Sequence, residues 1–431
     1  MQALNGSIRV PGDKSLSHRV ALFSAMAEGA SSVCGLLDSF DVRSTLGAIE
    51  ALGAKVDLAA GEDGLAGTIT GWGEAGPQSP DVVLDCGNSG TTARLLLGVL
   101  SGYGITACLA GDESLSKRPM GRVTLPLSLM GACFNVRGTP DTPDTLPMIV
   151  QGRALLKAIE YASPVASAQV KSAILLAGLH ADGMTRVIEP HKSRDHTELL
   201  LPAYGVEVVV DGLMAGVQGG QKLHSSDCRV PGDPSSAAFL LVAAALIPDS
   251  MVTARDVLLN PTRIGFMEVM KRMGADIDIE NNNKGQLGSE QVGDVCVRYR
   301  RGLQATTVKA HEIGSLVDEV PILALLATAA QGETVFEQVG ELRLKESDRL
   351  AAIISGLTNL GFTAYAVGDD LHVSSGSPQS ATAPFECHGD HRLAMTWSIA
   401  ALAFDQKLDI LGLESVGVSY PDFFDDLKQL S

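Results

Sequence analysis

The feature that most constrains the fold of this chain of 431 residues is an internal repeat. The segment RVPGDKS at 9–15 recurs as RVPGDPS at 229–235, half the chain later. A second pattern also recurs, in which an amphipathic helical stretch runs into a glycine-containing turn and then into alternating apolar residues. Its spacing of roughly 70–90 residues is too long for a solenoid repeat and suits a small unit of helix and strand.

The second pattern occurs in five full copies and one truncated copy. They lie at 41–58, 121–136, 194–210, 262–279 and 348–366, with the truncated copy at 420–430. In each full copy a glycine falls where the helix should end, because glycine accepts the left-handed conformation that closes a helix. These glycines are Gly53, Gly131, Gly205, Gly274 and Gly361. Chance could produce one such pattern, but five copies and the longer echo favour an α/β protein of two domains with three units each.

The two VPGD segments occupy corresponding places in the halves of the chain. If both are crossings between domains, the first strand belongs with the C-terminal half. We therefore expect one domain from 1–12 and 231–431 and another from 13–230, with hinges near 11–13 and 230–233. Because ligand sites are common in clefts between domains, we expect the active site there.

Charge and composition exclude several classes of protein. Lysine and arginine number 33 against 50 acidic residues, a formal net charge of −17, which argues against binding nucleic acid or an anionic membrane. The apolar run at 237–248 is too short to span about 30 Å of hydrocarbon, and the N-terminus shows no signal peptide. The seven cysteines are scattered without a CxxC pair, which argues against disulfides or a zinc site and favours the cytoplasm.

Glycine motifs for nucleotides fail on their context. Gly71–Gly76 matches GxGxxG, but Pro77 and Pro80 stand where the following helix should begin. Gly12–Ser15 lacks the Gly-Lys pair of a P-loop. We expect no metal and no organic cofactor.

Three polar segments precede apolar helical stretches and carry a basic residue nearby. They are Lys14-Ser15 with Arg19, Asn88–Thr92 before Arg94, and Ser167–Gln169. Free N–H groups and the helix dipole make such helix starts anion sites, although each could be an ordinary helix cap. Because the pattern occurs three times, it favours anion binding.

Further basic residues cluster despite the acidic total. They lie at 117–122, 192–194, 343–349 and 390–392, and an acidic pair, Asp318-Glu319, precedes an apolar helix at 320–330. Solvated surface charge is the alternative for the basic clusters, and helix N-terminal charge is the alternative for the acidic pair. Local cationic pockets suit a small polyanion held by arginine, and neighbouring carboxylates and lysine can exchange protons. The residues predict an acid–base enzyme for anions and leave its substrate open.

Nine blocks of the chain, in order, resemble the 5-enolpyruvylshikimate-3-phosphate synthase family. They are VPGDKSLSHR at 10–19, DCGNSGTTARL at 85–95, KRPMGR at 117–122, ASAQVKSA at 166–173, SRDHTE at 193–198, GDPSSAAF at 232–239, VDEVPILA at 317–324, RLKESDRL at 343–350 and GDHRLAM at 389–395. The resemblance implies a two-domain inside-out αβ barrel, each domain built from three βαβαββ-type units. It also implies enolpyruvyl transfer from phosphoenolpyruvate to the 5-hydroxyl of shikimate-3-phosphate, through a non-covalent tetrahedral intermediate, in aromatic amino acid biosynthesis. A monomer is expected.

The resemblance also implies the residues of the site. Phosphoenolpyruvate would be held by Lys14, Asn88, Gly90, Arg118, Gln169, Lys345, Arg349 and Arg392. Shikimate-3-phosphate would be held by Lys14, Ser15, Arg19, Ser167, Ala168, Gln169, Arg194, Asp318 and Lys345. Asp318 and Glu346, with Lys345 and Lys14, would carry the catalysis, with Asp318 near the hydroxyl and Glu346 near the methylene carbon.

Two departures from the family pattern and one shared residue concern ligand binding. The segment 417–421 lacks the lysine that well-known members carry there, and Leu95 replaces a common proline. Both departures resemble the second class of the family, some of whose members tolerate the analogue glyphosate. Gly90 is the residue of glyphosate-sensitive members, so we expect inhibition.

Three rival interpretations are weaker. A UDP-N-acetylglucosamine enolpyruvyl transferase usually carries a reactive cysteine in the loop that is Gly111–Arg122 here, and this loop has none. An RNA 3′-phosphate cyclase-like protein is disfavoured by the acidic charge. A repeat scaffold has no need of Asp318, Lys345 and Glu346 in one place. For the favoured reaction we expect the domains to close on both ligands.

Overall fold

The computed structural model describes residues 2–136, 144–282 and 287–431. It contains two compact units. The C-terminal unit comprises Met1–Pro11, Pro231–Gly285 and Gln291–Ser431, and the N-terminal unit comprises Gly12–Val230 and Gln286–Glu290. No sequence feature predicts that residues 287–290 belong to the N-terminal unit. Among the described residues, no helix is long and apolar enough to cross a membrane.

The strands are short and lie throughout the described chain. They are β1 (Asn5–Ile8), β2 (Ala30–Leu36), β3 (Lys55–Gly61), β4 (Gly64–Thr70), β5 (Leu84–Asp85), β6 (Thr106–Ala110), β7 (Cys133–Val136), β8 (Met148–Gln151), β9 (Leu156–Lys157), β10 (Glu160–Ala162), β11 (Ala181–Asp182), β12 (Met184–Ile188), β13 (Val208–Asp211), β14 (Met214–Gln218), β15 (Cys228–Arg229), β16 (Met251–Leu258), β17 (Asp276–Asn281), β18 (Val292–Arg298), β19 (Thr307–Val308), β20 (Glu333–Phe336), β21 (Ala364–Val367), β22 (Asp370–Ser374), β23 (Phe385–Glu386) and β24 (Ile410–Leu411).

The helices alternate with these strands. They are α1 (Lys14–Met26), α2 (Phe40–Ala51), α3 (Gly90–Ser101), α4 (Gly121–Met130), α5 (Ala168–Gly178), α6 (His196–Leu200), α7 (Pro234–Leu246), α8 (Gly265–Arg272), α9 (Val320–Ala327), α10 (Arg349–Asn359), α11 (His391–Ala403) and α12 (Phe423–Leu430). The helix α9 ends earlier than expected, because residues 328–330 continue as tight turns.

Five four-stranded sheets share one topology. In each, an edge strand pairs in parallel with the second strand, and two antiparallel strands follow. Their orders are β15-β2-β4-β3, β5-β6-β8-β7 and β10-β12-β14-β13 in the N-terminal unit, and β1-β16-β18-β17 and β19-β20-β22-β21 in the C-terminal unit. The parallel pair β23-β24 is a shortened sixth copy. The repeats and the α/β class are therefore confirmed, and the barrel-like arrangement stays a prediction.

The five repeat glycines adopt the conformation that was expected of them. Their φ angles lie between 80° and 112°. Four follow α2, α4, α8 and α10, and Gly205 follows the 3₁₀ turn after α6. This left-handed backbone favours glycine because other side chains strain it.

The VPGD echo performs the same local task in both units. A Cβ on Gly12 would lie 2.0 Å from the carbonyl oxygen of Gly35, so the close chain approach requires glycine. The next residue, Asp13 or Asp233, caps the following helix through its carboxylate. The first strand, β1, pairs with β16 in the C-terminal unit.

Each unit buries three helices almost completely: α1, α3 and α5 in one, and α7, α9 and α11 in the other. After its first turn, the sequence PSSAAFLLVAAAL of α7 is apolar on all sides, which suits a helix surrounded by protein. The polar motifs fall at their N-terminal ends. The fold thus places free backbone N–H groups beside the residues that were predicted to bind anions.

Candidate active site

Polar side chains form one cluster in each unit, near the N-terminal ends of the buried helices. The N-terminal cluster consists of Lys14, Arg19, Asn88, Arg94, Arg118 and Gln169. The C-terminal cluster consists of Asp318, Glu319, Lys345, Glu346, Arg349 and Arg392.

The three helices that begin in the N-terminal cluster each have an N-capping side chain. The carboxylate of Asp13 accepts a hydrogen bond from the N–H of Leu16 at 2.8 Å. Ser89 and Ser167 cap α3 and α5 in the same way. The predicted residues Ser15, Gly90 and Ala168 lie in the first turns of these helices. The cap interpretation and the anion interpretation therefore apply to the same positions.

The cations of α1 are held in different ways. Lys14 Nζ lies 3.1 Å from Asp41 Oδ2, and about a fifth of the lysine side chain is exposed. Arg19 is buried and donates to the hydroxyls of Ser172 and Thr197 at 2.8 and 2.9 Å, and to the carbonyl of Ser15 at 3.0 Å. Burial lowers the pKa of Arg19 to about 10, against the opposing effect of Glu198. Its neutral partners leave its charge available for an anion.

Asn88 and Arg118, both predicted, contact each other. Arg118 Nη2 donates to Asn88 Oδ1 at 2.7 Å and to the hydroxyl of Ser114 at 3.2 Å. The amide of Asn88 in turn donates to Asp112 at 2.6 Å. Lys117, next to Arg118, instead pairs with an exposed glutamate. Of the three cations in the motif KRPMGR, Arg118 is therefore the enclosed one, whereas Lys117 and Arg122 are exposed.

Arg94 contacts Gln169 and lies beside Gly90 at the start of α3. It was not among the predicted site residues. Its Nη1 donates to Gln169 Oε1 at 2.8 Å, and Gln169 donates to the hydroxyl of Thr91 at 3.0 Å. Burial, and then Arg118 and Arg122, lower the pKa of Arg94 to about 10. A Cβ on Gly90 would lie 2.7 Å from Arg94 Nη1. A methyl group on this glycine therefore requires the guanidinium to move.

Ser167 and the segment before Arg194 meet at a buried glutamate. Glu189 accepts hydrogen bonds from the N–H of Ser167 at 3.2 Å and from the hydroxyl of Ser193 at 2.5 Å. Arg194 is half-buried beside them. Glu189 carries no motif of its own and was not among the predicted site residues.

The C-terminal cluster is organised around Arg349, at the start of α10. This guanidinium is 1% exposed and donates to Asp390 at 2.7 Å, to Asp318 at 3.2 Å and to Glu346. Burial lowers the pKa of Arg349, but Glu346, Asp390 and Asp318 outweigh it, so the net shift is upward. Arg349 thus joins two other predicted residues, Asp318 and Glu346, and adds Asp390 to the site.

Lys345 and Arg392 flank the same aspartate. Lys345 Nζ lies 4.0 Å from Asp318 Oδ1 and 2.7 Å from Glu341. Arg392 Nη2 lies 3.7 Å from Asp318 Oδ2, and its Nη1 donates to the Asp318 carbonyl at 3.2 Å. Three cations therefore lie within 4.0 Å of the Asp318 carboxylate.

Glu319 is a buried acid that was predicted only as half of an acidic pair. It lies 3.4 Å from Arg392 Nη1 and accepts a hydrogen bond from Ser235. Burial raises the pKa of Glu319, against the opposing effect of Arg392. Its position one residue before a wholly apolar helix was the available signal.

The C-terminal segment offers no replacement for the missing lysine. Tyr420 precedes Pro421, is buried, and donates a hydrogen bond to Asp426 at 2.5 Å. Leu95, the second departure, is a core residue of α3.

Known proteins that resemble this chain do so over nearly its whole length, and they belong to the family that the sequence blocks indicated. The profile of the family described as EPSP synthase (3-phosphoshikimate 1-carboxyvinyltransferase) matches residues 1–427. A 3-phosphoshikimate 1-carboxyvinyltransferase of Geobacillus kaustophilus is 46% identical, covering 100% of this chain and 98% of its own, and one of Bacillus licheniformis is 44% identical with the same coverage.

Solved structures agree as well. An EPSP synthase of Acinetobacter baumannii has a TM-score of 0.87 and 40% identity, covering 100% of this chain and 96% of its own. The enolpyruvyl transferase NikO of Streptomyces tendae, at 19% identity and a TM-score of 0.76, covers 100% of this chain and 95% of its own, and shares the fold. The predicted resemblance is confirmed: the chain belongs to the EPSP synthase family.

Proposed function

We propose that this chain transfers the enolpyruvyl group of phosphoenolpyruvate to the 5-hydroxyl of shikimate-3-phosphate and releases phosphate. Relatives at 44–46% identity over nearly their full length are named for this activity. The reaction would take place in the cytoplasm as a step of aromatic amino acid biosynthesis, in a monomer without metal or organic cofactor.

The observation that carries the proposal is the set of cations around Asp318. Phosphoenolpyruvate brings a phosphate and a carboxylate, and the three cations Lys345, Arg349 and Arg392 surround the Asp318 carboxylate. Glu346 lies beside Arg349 in the same cluster. Arginine suits both anionic groups because its planar fork donates two parallel hydrogen bonds. Binding and proton exchange can thus take place at one cluster.

The N-terminal cluster would supply the remaining contacts. Lys14, Asn88, Gly90, Arg118 and Gln169 are assigned to phosphoenolpyruvate. Shikimate-3-phosphate is assigned to Lys14, Ser15, Arg19, Ser167, Ala168, Gln169 and Arg194, with Asp318 and Lys345 of the other unit. Helix starts and enclosed cations are the groups that favour a phosphate dianion. The reaction therefore requires residues of both units.

The chemistry divides between two carboxylates. In the addition, the 5-oxygen bonds to C2 of phosphoenolpyruvate, loses its proton to Asp318, and a proton passes from Glu346 to C3. In the elimination, Glu346 takes a proton back from C3 as the bond from C2 to the phosphate oxygen breaks, and the proton held by Asp318 leaves with the phosphate, which restores both carboxyl groups. Lys14 and Lys345 balance the charge of the departing phosphate. Such positioned proton transfers typically contribute about 10²- to 10⁴-fold each.

The acceptor substrate distinguishes this function from its nearest rival. Phosphate release from phosphoenolpyruvate should be measured with shikimate-3-phosphate and, separately, with UDP-N-acetylglucosamine. We expect release with the first acceptor alone. Release with the second alone would refute the proposal. The loop Gly111–Arg122, which has no cysteine, agrees with the first acceptor.

A further inference from the structure

A buried ion triad lies behind the residues assigned to shikimate-3-phosphate. Lys171, on α5, places its ammonium 2.7 Å from Glu189 Oε2 and 2.7 Å from Glu198 Oε1. All three side chains are at most 6% exposed. Glu189 follows β12 and Glu198 lies on α6, so one ammonium joins three separate segments of the N-terminal unit.

The first carboxylate of the triad holds two of these segments by their backbone and hydroxyl groups. Glu189 accepts from the N–H of Ser167 at 3.2 Å, from the hydroxyl of Ser193 at 2.5 Å and from the N–H of Ser193 at 3.4 Å. Ser167 is itself assigned to the substrate, and Ser193 directly precedes Arg194, which is also assigned to it. Movement of Glu189 would therefore move both contacts.

The residues next to Lys171 and Glu198 in the chain bind Arg19. Ser172 follows Lys171 and Thr197 precedes Glu198, and the hydroxyls of Ser172 and Thr197 lie 2.7 Å apart. Arg19 donates to both hydroxyls. The pair Lys171–Glu198 thus ties α5 to α6 at the point where the two helices together hold this cation.

The charges of the triad do not balance by themselves, since two carboxylates share one ammonium. Burial raises the pKa of Glu198 in spite of Lys171, and Glu198 Oε2 has no hydrogen-bond partner within the described parts of the chain. Burial alone would lower the pKa of Lys171, but Glu198 and Glu189 raise it. Without the ammonium, two buried carboxylates would repel each other and the incoming phosphate.

We propose that Lys171 is a positioning residue for shikimate-3-phosphate: by pairing with both Glu189 and Glu198 it holds Ser167, Arg194 and Arg19 in the arrangement that binds the phosphosugar. The inference rests on the proposed function and extends it to a residue that has no assigned contact with either substrate. Its effect is specific to one substrate, because the triad supports the contacts assigned to shikimate-3-phosphate.

The test compares Lys171→Met with Lys222→Met in the full chain. Lys222 pairs with Glu74, and both side chains are more than half exposed, so its loss is a matched control for removing a lysine from an ion pair. Steady-state kinetics with each substrate varied should show the KM for shikimate-3-phosphate raised about tenfold in Lys171→Met. The KM for phosphoenolpyruvate and kcat should stay within about twofold of the control.

A second substitution tests whether charge is the reason. In Lys171→Met/Glu198→Gln one of the two unbalanced carboxylates becomes a neutral amide of the same shape. We expect this double variant to recover at least threefold of the lost affinity for shikimate-3-phosphate. A double variant no better than Lys171→Met would overturn the charge argument.

Each remaining outcome is also decisive. A wild-type chain that is inactive with shikimate-3-phosphate refutes the proposed function, whereas an active wild type with an unchanged KM in folded Lys171→Met refutes the inference alone. If Lys171→Met does not fold, Glu189→Gln decides. A rise of at least fivefold in the KM for shikimate-3-phosphate alone supports the inference, and equal effects on both substrates overturn it.

Discussion

The two clusters hold their cations by opposite means. In the N-terminal cluster, Arg19, Arg94 and Arg118 donate to hydroxyls, side-chain amides and backbone carbonyls, all of which are neutral. In the C-terminal cluster, Arg349 donates to three carboxylates, and Arg392 lies beside two. Lys14, paired with Asp41, is the N-terminal cation that resembles the C-terminal pattern.

The different partners also shift the pKa values of the arginines in opposite directions. Burial among neutral partners lowers the pKa of Arg19 and of Arg94 to about 10, whereas the carboxylates raise that of Arg349. A buried cation with neutral partners gains most from an anionic ligand, since the ligand supplies the missing counter-charge. The N-terminal cluster is therefore suited to binding, and the C-terminal cluster to exchanging protons.

The largest expected effect is a loss of kcat when a proton-transferring carboxylate of the C-terminal cluster is replaced. Glu346→Gln keeps an acceptor for Arg349 but cannot give or take a proton, so kcat should fall by about 10²- to 10⁴-fold. The melting temperature should stay close to that of the wild type. Glu268→Gln, at an exposed pair with Lys271, is the control. A Glu346→Gln enzyme within tenfold of wild-type kcat would remove Glu346 from the mechanism.

The next largest effect is expected on the KM for phosphoenolpyruvate when a cation of the N-terminal cluster is removed. Arg118→Ala removes charge-assisted hydrogen bonds of about 1.5–3 kcal/mol, which corresponds to about a 10- to 100-fold rise in the KM for phosphoenolpyruvate. The neighbouring variant Lys117→Ala removes a cation that is 72% exposed and should change little. Comparable kinetics for the two variants would contradict the assignment of Arg118.

A smaller effect is expected from filling the space over Gly90. We expect glyphosate to inhibit the wild type, and Gly90→Ala to raise the inhibitory concentration about tenfold, because the methyl group displaces Arg94. Overpacking of this kind costs about 1–3 kcal/mol. Gly104→Ala is the control, since its nearest neighbour lies 3.9 Å away. Unchanged turnover of the wild type at high glyphosate, or equal inhibition of both variants, would contradict this prediction.

The smallest effect concerns stability and pH. Because the pKa of Glu319 is raised by folding, its contribution to stability is present at acidic pH and is lost as pH rises through the raised value. Glu319→Gln removes this titration, so its melting temperature should fall less between pH 5 and pH 8 than that of the wild type, by about 1–4 °C. Glu62→Gln, at an exposed position, should follow the wild type. Parallel pH profiles for all three proteins would show that Glu319 does not titrate differently on folding.

The repeat could be predicted from the sequence because short-range sequence features determine it. Glycines such as Gly53 and Gly274 mark helix ends through a backbone angle that few other residues adopt, and the change from a period of 3.6 to a period of 2 marks each strand. The truncated sixth copy was predicted at 420–430 from the same pattern, and the structure has the helix α12 there. These signals depend on near neighbours in the chain, so no tertiary information is needed.

The site could be predicted only where motifs mark it. Arg349 and Asp318 were identified through the family resemblance, and the structure joins them. Arg94 and Glu189 were missed because their importance lies in partners 75 and 22 residues away.

The measurement that tests the account most directly is phosphate release from phosphoenolpyruvate in the wild type, Lys14→Ala and Glu346→Ala. The two variants remove one charged group from each cluster, and circular dichroism should show that both still fold. We predict release by the wild type only when shikimate-3-phosphate is also present, and near-background release by each variant. Release that ignores shikimate-3-phosphate, or wild-type release by either folded variant, would contradict the claim that both clusters serve one transfer reaction.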